Sequence, residues 1–141
     1  MSKLIVVSIK PEFAHKIFDG SKKIELRKVS PNVRQGDLMI VYSTSPEMAI
    51  LGICQIQEVI KSTPSDLWEK HSDVLGIDKT RYFDYYSKSS IAIGIVLERA
   101  KRFKTKIPLK NLKKYFPTFS PPQTFKYYNR ELVSSSLTHY S

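Results

Sequence analysis

The sequence is poor in the residue types that usually announce chemistry: 141 residues include one cysteine, five glycines and three histidines. A single cysteine, Cys54, excludes an intramolecular disulfide and any cysteine-cluster zinc site, and it suits a reducing cytoplasm. Its surroundings, AILGICQIQ, are apolar, so a buried and inert thiol is expected rather than a nucleophile. The glycines are scattered singly and form no phosphate-binding loop, which argues against a nucleotide-hydrolysing enzyme. No apolar run approaches the roughly 20 residues of a membrane span, so no membrane partner is expected. The opening MSKLIVVSIKPEF lacks a small-residue cleavage site after its apolar core and reads as a first strand, not an export signal. Nothing in the chain calls for a metal or a cofactor, and neither is expected.

Acidic residues are absent where it matters most. Lys101–Arg130, KRFKTKIPLKNLKKYFPTFSPPQTFKYYNR, holds nine Lys or Arg and no Asp or Glu. The rest of the chain has 14 basic and 13 acidic residues, so nearly all of the net charge of +10 belongs to this segment. Such a block attracts polyanions, because each phosphate it neutralises releases condensed counterions. Lys101, Arg102, Lys104, Lys106, Lys110, Lys113 and Lys114 are the candidate backbone contacts. The interleaved Phe103, Tyr115, Phe116, Phe119, Phe125, Tyr127 and Tyr128 could stack on exposed bases, although some must belong to the core.

Periodicity supplies the elements. Lys3–Ile9 reads as a buried strand, and Pro11 opens a helix whose Phe13, Ala14, Ile17 and Phe18 share one face before Gly20 ends it. Strands follow at Lys23–Lys28, at Leu38–Tyr42 and in MAILGICQIQEVI, where Gln55 and Gln57 share a face opposite Ile56. Thr63 and Asp78 are helix N-caps, the second for a helix carrying Tyr82, Phe83 and Tyr86. Ile91–Phe103 is a long apolar strand, IPLKNLKKYF forms a helical turn, and Pro121–Pro122 keep FSPPQTF irregular. The expected fold is α+β: a small mixed or antiparallel β-barrel of five to six strands with short helices in the connections. One domain spans residues 1–130, and 131–141 is a polar tail.

One strand carries an ordered charge pattern. Side-chain alternation puts Ile24 and Leu26 on one face and Lys23, Glu25 and Arg27 on the other. Two readings fit: a surface ladder of ion pairs worth under about 1 kcal/mol, or the polar wall of a cleft.

The order of several motifs carries a resemblance. SIKPEFAHKIFDGSKKIELRK supplies Lys10-Pro11, Ala14, Gly20, Lys22 and Glu25-Leu26-Arg27. GDLMIVYSTSP, LWEKHSDVLGIDKTRYFDYY, IPLKNL and SPPQTFKYY follow in sequence. Together they resemble ASCH domains of the PUA-like small-barrel group. The last piece is similar to the ending of a bacterial branch grouped with predicted transcriptional regulators. The resemblance implies a barrel with a cleft for RNA or a modified nucleoside. By carry-over, Lys10, Lys22, Lys23, Glu25 and Arg27 would line or support it, with Ser43 and Thr44 at a neighbouring strand end. Gln123, Phe125 and Lys126 would close it.

Two function classes follow from the sequence and its resemblance, besides a regulatory protein-interaction domain. The first is a nucleic-acid-binding module, for RNA rather than DNA, that holds an unpaired or modified base while the basic segment grips the backbone. The second is a small hydrolase acting on RNA or on a modified nucleoside, with Lys22 and Glu25 as catalytic residues. The resemblance extends to bacterial N4-acetylcytidine amidohydrolases in Lys22, but Glu25 stands where that group has a threonine hydroxyl. His15, His71 and His139 are candidates for metal-free RNA cleavage, yet they are scattered, with no carboxylate pairing legible in the sequence.

Overall fold

Residues 3–128 are described by a computed structural model; Arg130, His139 and the tail 131–141 lie outside the described residues. The chain runs β1 (Leu4–Ile9), α1 (Pro11–Asp19), β2 (Ile24–Arg27), β3 (Leu38–Ser43), β4 (Ala49–Ser62) and α2 (Pro64–His71). After a short 3-10 turn at Ser72–Val74 come α3 (Lys79–Tyr85), β5 (Ala92–Pro108), α4 (Leu109–Tyr115) and β6 (Phe125–Tyr128). Six strands form one mixed sheet in the order β2-β5-β4-β3-β1-β6, curled into a half-barrel. β1 pairs in parallel with β3; every other pairing is antiparallel.

All six residues of β1 are buried, because both faces of the sheet are covered. Ile5, Val7 and Ile9 join Met39 and Val41 in a core shared with Ala14 and Ile17 of α1. Leu4 and Val6 point the other way, joining Ile40, Tyr42, Phe103 and Ile107 beneath Leu112 of α4. A third cluster, with Ile24, Leu26, Leu67, Leu75, Tyr82 and Tyr86, seats α2 and α3 on the β2–β5 end. Each such large apolar side chain contributes about 1.5–3 kcal/mol when taken fully out of water.

The helices start where their caps say. Thr63 Oγ1 accepts the Asp66 amide at 3.2 Å, and Asp78 Oδ1 accepts that of Arg81 at 2.9 Å. β5 runs past Phe103 to Pro108, five residues beyond the expected strand end. That extension pairs with the start of β4, so the basic run KRFKTKIP is ordered strand. Register shifts at Ile50/Gly52, Ile53/Gln55 and Ile56/Glu58 bend the two long strands and curl the sheet. β6 begins at Phe125, immediately after the proline-rich loop. Among the described residues, no helix is long and apolar enough to cross a membrane.

Gly52 marks the tightest point of this packing. A Cβ there would collide with the backbone carbonyl of Lys101 and with the Phe18 ring, 2.8 Å away. The backbone oxygen belongs to a paired strand and cannot withdraw. We expect Gly52→Ala to cost at least about 1–3 kcal/mol, measured as a lower midpoint in urea unfolding; an unchanged midpoint would contradict this close packing.

Candidate nucleic-acid interface

At the open end of the half-barrel, beside α1, lies a cavity of about 350 Å³. Its lining combines Ser8, Lys10, Phe13, Lys22, Glu25, Arg27, Thr44, Tyr85 and Gln123 with the apolar Ile9, Leu26 and Ile77. The charge row of β2 therefore forms a cleft wall, and the surface-ladder reading fails. Glu25 is 5% exposed, and Arg27 is mostly covered.

The cations beside Glu25 differ from the alternation pattern. Arg27 Nη2 contacts Glu25 Oε2 at 2.8 Å, as expected, but the second cation is Lys22, with Nζ 3.8 Å from Oε1. Lys23, by contrast, is exposed and does not line the cavity. The reason is local: β2 starts only at Ile24, and Lys22 sits in an isolated bridge to Leu75. Gly76 closes over it with φ +68°, and any Cβ there would lie 2.8 Å from Lys22 Cβ. Lys22 is consequently 3% exposed and donates to the Leu75 carbonyl at 2.7 Å. Burial pulls its ammonium below the ordinary lysine value; Glu25 opposes that shift, while Arg27 and Lys16 add to it.

Arg27 is held by the backbone as well as by Glu25. Its Nη2 donates to the Ser8 carbonyl at 2.8 Å, and its own carbonyl accepts from the Tyr86 hydroxyl at 3.0 Å. Its Nε is buried without a partner. An unpaired donor at that depth costs about 1–3 kcal/mol. Phe13 and Tyr85 supply aromatic surface to the same cavity, Tyr85 being 38% exposed with Lys28 Nζ 4.5 Å from its ring centroid.

The proline-rich loop reaches the cavity through Gln123. Ser8 Oγ donates to the Pro122 carbonyl at 2.6 Å and the Ser8 amide to that of Thr124 at 3.1 Å, which holds Gln123 over the opening. Phe125 packs partly against the α1-side core, and Lys126 lies over the Tyr128 ring at 5.5 Å; neither lines the cavity. Thr44 does line it, whereas Ser43 is buried and donates to Glu47 Oε1 at 2.7 Å.

Glu47 anchors a second polar cluster beside Thr44. His15 Nε2 meets Glu47 Oε1 at 2.8 Å, and Lys106 Nζ meets Oε2 at 3.1 Å. Arg102 Nη1 lies 3.1 Å from His15 Nδ1. Arginine can only donate, so Nδ1 accepts and Nε2 carries the proton given to Glu47. His15 thus has a carboxylate partner that its sequence neighbourhood did not reveal. His71 instead precedes the 3-10 turn and makes no side-chain cap.

β5 divides the basic segment between the two faces of the sheet. Phe103 and Ile107 point into the α4-side core, whereas Arg102 reaches His15 and the Phe18 ring of α1 and Lys106 reaches Glu47. Lys101 shares the phase of Phe103, and Lys110, Lys113 and Lys114 ride on α4 across the sheet. Phe116, Phe119 and Tyr128 join the same core, so these rings are not free to stack on bases. Tyr127 is exposed, with its hydroxyl accepting the Asn32 amide at 2.6 Å; the side chain of Tyr115 lies outside the described residues.

Ser8, Ile9, Phe13, Leu26, Ile77 and Tyr85 are the lining residues that sequence reasoning missed. Phe13 was assigned to the core face of α1, and Tyr85 follows Tyr82 by one turn in a helix read only for its Tyr82–Tyr86 face. Cys54 is buried, and burial pushes its thiol up to about 12, as its apolar setting implied. Among the described residues, no group of three or more His, Cys, Asp or Glu could hold a metal ion.

Removing Glu25 would leave Lys22 and Arg27 buried without their shared counter-ion. We expect Glu25→Ala to destabilise the protein by about 3–5 kcal/mol in urea unfolding. A loss below about 1 kcal/mol, typical of an exposed pair, would contradict the buried arrangement.

Comparisons with known proteins bear on the family and the fold. The ASCH domain model matches residues 7–119. An ASCH domain-containing ribonuclease of Zymomonas mobilis is 26% identical over 129 residues, which cover 92% of this chain and 86% of that protein. The large ribosomal subunit protein uL22 of Ureaplasma parvum is 28% identical over 121 residues, or 85% of this chain but only 38% of that longer protein. The crystal structure of ASCH from Zymomonas mobilis has a TM-score of 0.91 at 24% identity, covering 99% of this chain and 96% of that one. Human THYN1, crystallised in complex with 5-methylcytosine containing DNA, gives a TM-score of 0.61 at 15% identity, covering 99% and 98% of the two chains. Both structural likenesses concern the fold, which is that of ASCH and PUA-like domains. A family match over most of the length, on the same half-barrel, has one meaning: the chain belongs to the ASCH domain family.

Proposed function

We propose that the chain binds nucleic acid, RNA in preference to DNA, by holding one unpaired or modified base in the cavity. The observation that carries this reading is the mutually paired Lys22–Glu25–Arg27 trio lining the cavity. A carboxylate beside two cations offers both acceptor and donors to a base edge, and aromatic walls offer stacking. A cavity of about 350 Å³ falls within the range of small-ligand sites. Lys10, Thr44 and Gln123 on the rim are suited to the sugar and phosphate of the held nucleotide. Arg102 and Lys106, which meet α1-side partners, and the neighbouring Lys104 would follow the backbone outward. Zymomonas ribonuclease favours RNA as the polymer, and the THYN1 complex is a precedent for modified bases on this fold. The buried thiol supports a reducing, cytoplasmic setting.

Fluorescence anisotropy with labelled single-stranded RNA tests this reading. Affinity should fall steeply with salt, and Lys104→Gln with Lys106→Gln should reduce the slope by about 0.7 per lost phosphate contact. Tyr85→Ala should cost about 1–3 kcal/mol of binding, while Lys110→Gln with Lys113→Gln should change little. Absence of binding even at low salt would overturn the proposal.

A second reading is favoured by one observation, the lowered pKa of Lys22, which suits a general base in a small hydrolase. It requires cleavage of RNA, or release of acetate from N4-acetylcytidine, that disappears in Lys22→Arg. Recovery of both substrates intact would eliminate this reading and leave the binding function.

A further inference from the structure

Buried lysines are normally fully engaged, because an ammonium taken out of water must recover its lost solvation. Lys22 is not. Of its three possible donors, one goes to the Leu75 carbonyl at 2.7 Å, and Glu25 Oε1 is too distant, at 3.8 Å, for a hydrogen bond. The Phe13 ring lies 5.5 Å from Nζ on another side. Gly76 and the bridge to Leu75 pack against the side-chain stem, the Leu75 carbonyl holds the amine, and Lys22 lines the cavity. Arg27 occupies Glu25 Oε2 and leaves Oε1 turned toward Lys22. The result is an anchored primary amine, a free carboxylate oxygen across a short gap, and space beside them for a ligand.

We propose that Lys22 captures an aldehyde carried by a nucleic acid as a Schiff base, with Glu25 as the proton carrier. This rests on the nucleic-acid-binding reading and deepens it by naming the ligand's functional group. Glu25 takes a proton from the Lys22 ammonium. The free amine then adds to the carbonyl carbon, and proton transfer from nitrogen to oxygen gives a neutral carbinolamine. Glu25 returns its proton to the hydroxyl, water leaves, and the nitrogen lone pair forms the C=N bond of a protonated imine. No oxidant or reductant is consumed, and Glu25 ends as it began. Burial favours the uncharged amine that the addition needs, and Arg27 can steady the oxygen while charge develops on it.

Two sources fit this chemistry. One is a pyrimidine bearing a formyl group, which would stack between Phe13 and Tyr85. The other is the ring-opened sugar left where a base has been lost. Both can belong to a polymer that Arg102, Lys104 and Lys106 would hold.

The test uses three single-stranded oligonucleotides of one sequence: one with 5-formylcytosine, one with a base-less site, and one intact. Each is incubated with the full chain and sodium cyanoborohydride, which reduces an imine to a stable amine, and adducts are mapped by peptide mass spectrometry. We expect covalent adduct at Lys22 from one or both aldehyde strands and none from the intact strand. Burial holds the Lys22 amine below the ordinary lysine value and so raises its free-amine fraction, and Lys22 should therefore outpace every exposed lysine. Lys22→Arg should abolish the adduct, and Lys70→Arg on exposed α2 should leave it intact. Mapping the wild-type adduct decides the site even if Lys22→Arg fails to fold. Adduct spread over surface lysines, or none at all, would overturn the inference. Retained affinity for the intact strand would then show that base binding stands without it, and lost affinity would remove both.

Discussion

Everything distinctive about this molecule depends on placing Glu25 inside the curl of the sheet, between a buried lysine and a nearly buried arginine. A carboxylate at that depth is tolerable only with cations to compensate it. Each cation is secured by a different part of the fold. Lys22 is anchored through the Leu75–Gly76 turn between the 3-10 turn and α3, and Arg27 through Ser8 of β1 and Tyr86 after α3. Ser8 in turn fastens the proline-rich loop. The polar floor of the cavity thus ties β1, β2, the α3 region and the C-terminal loop to one another. Such a network fixes geometry more than it adds stability, which is the usual role of charge in an interior.

The cavity and the basic strand are linked by a short path rather than merged. Thr44 is on the rim; Glu47, three residues on, gathers His15, Ser43 and Lys106, and Arg102 leans on His15. This cluster restrains Arg102 and Lys106. The lysines of α4 occupy the opposite face, separated by a complete layer of core. The described cations of β5 and α4 therefore do not form one surface: Arg102 and Lys106 gather around His15 and Glu47, and the α4 lysines lie across the sheet.

Much of the fold was legible in the sequence because its signals are local. The apolar run of β1, the caps Thr63 and Asp78, and the break at Pro121–Pro122 each act within a few residues of themselves. The phase of Ile24 and Leu26 was equally readable. What sequence could not give was curvature. Alternation separates Glu25 from Ile24, but only the bend of β4 and β5 decides that the second face is enclosed rather than wet. Lys22, two residues before the strand, takes the place that alternation assigned to Lys23 because an isolated bridge to Leu75 holds it there. His15–Glu47 was invisible for a related reason: 32 residues separate the partners, and nothing near either one signals the other. The aromatic residues of the basic segment misled because strand phase, not composition, chose which of them are core.

The most direct measurement is a crystal structure of the protein with a short single-stranded RNA. This account requires one base turned into the cavity, its edge within hydrogen-bond distance of Glu25 or Arg27 and its plane against Phe13 or Tyr85, with phosphates leaving toward Arg102 and Lys104. An RNA bound only across the α4 lysines, with the cavity empty, would contradict it.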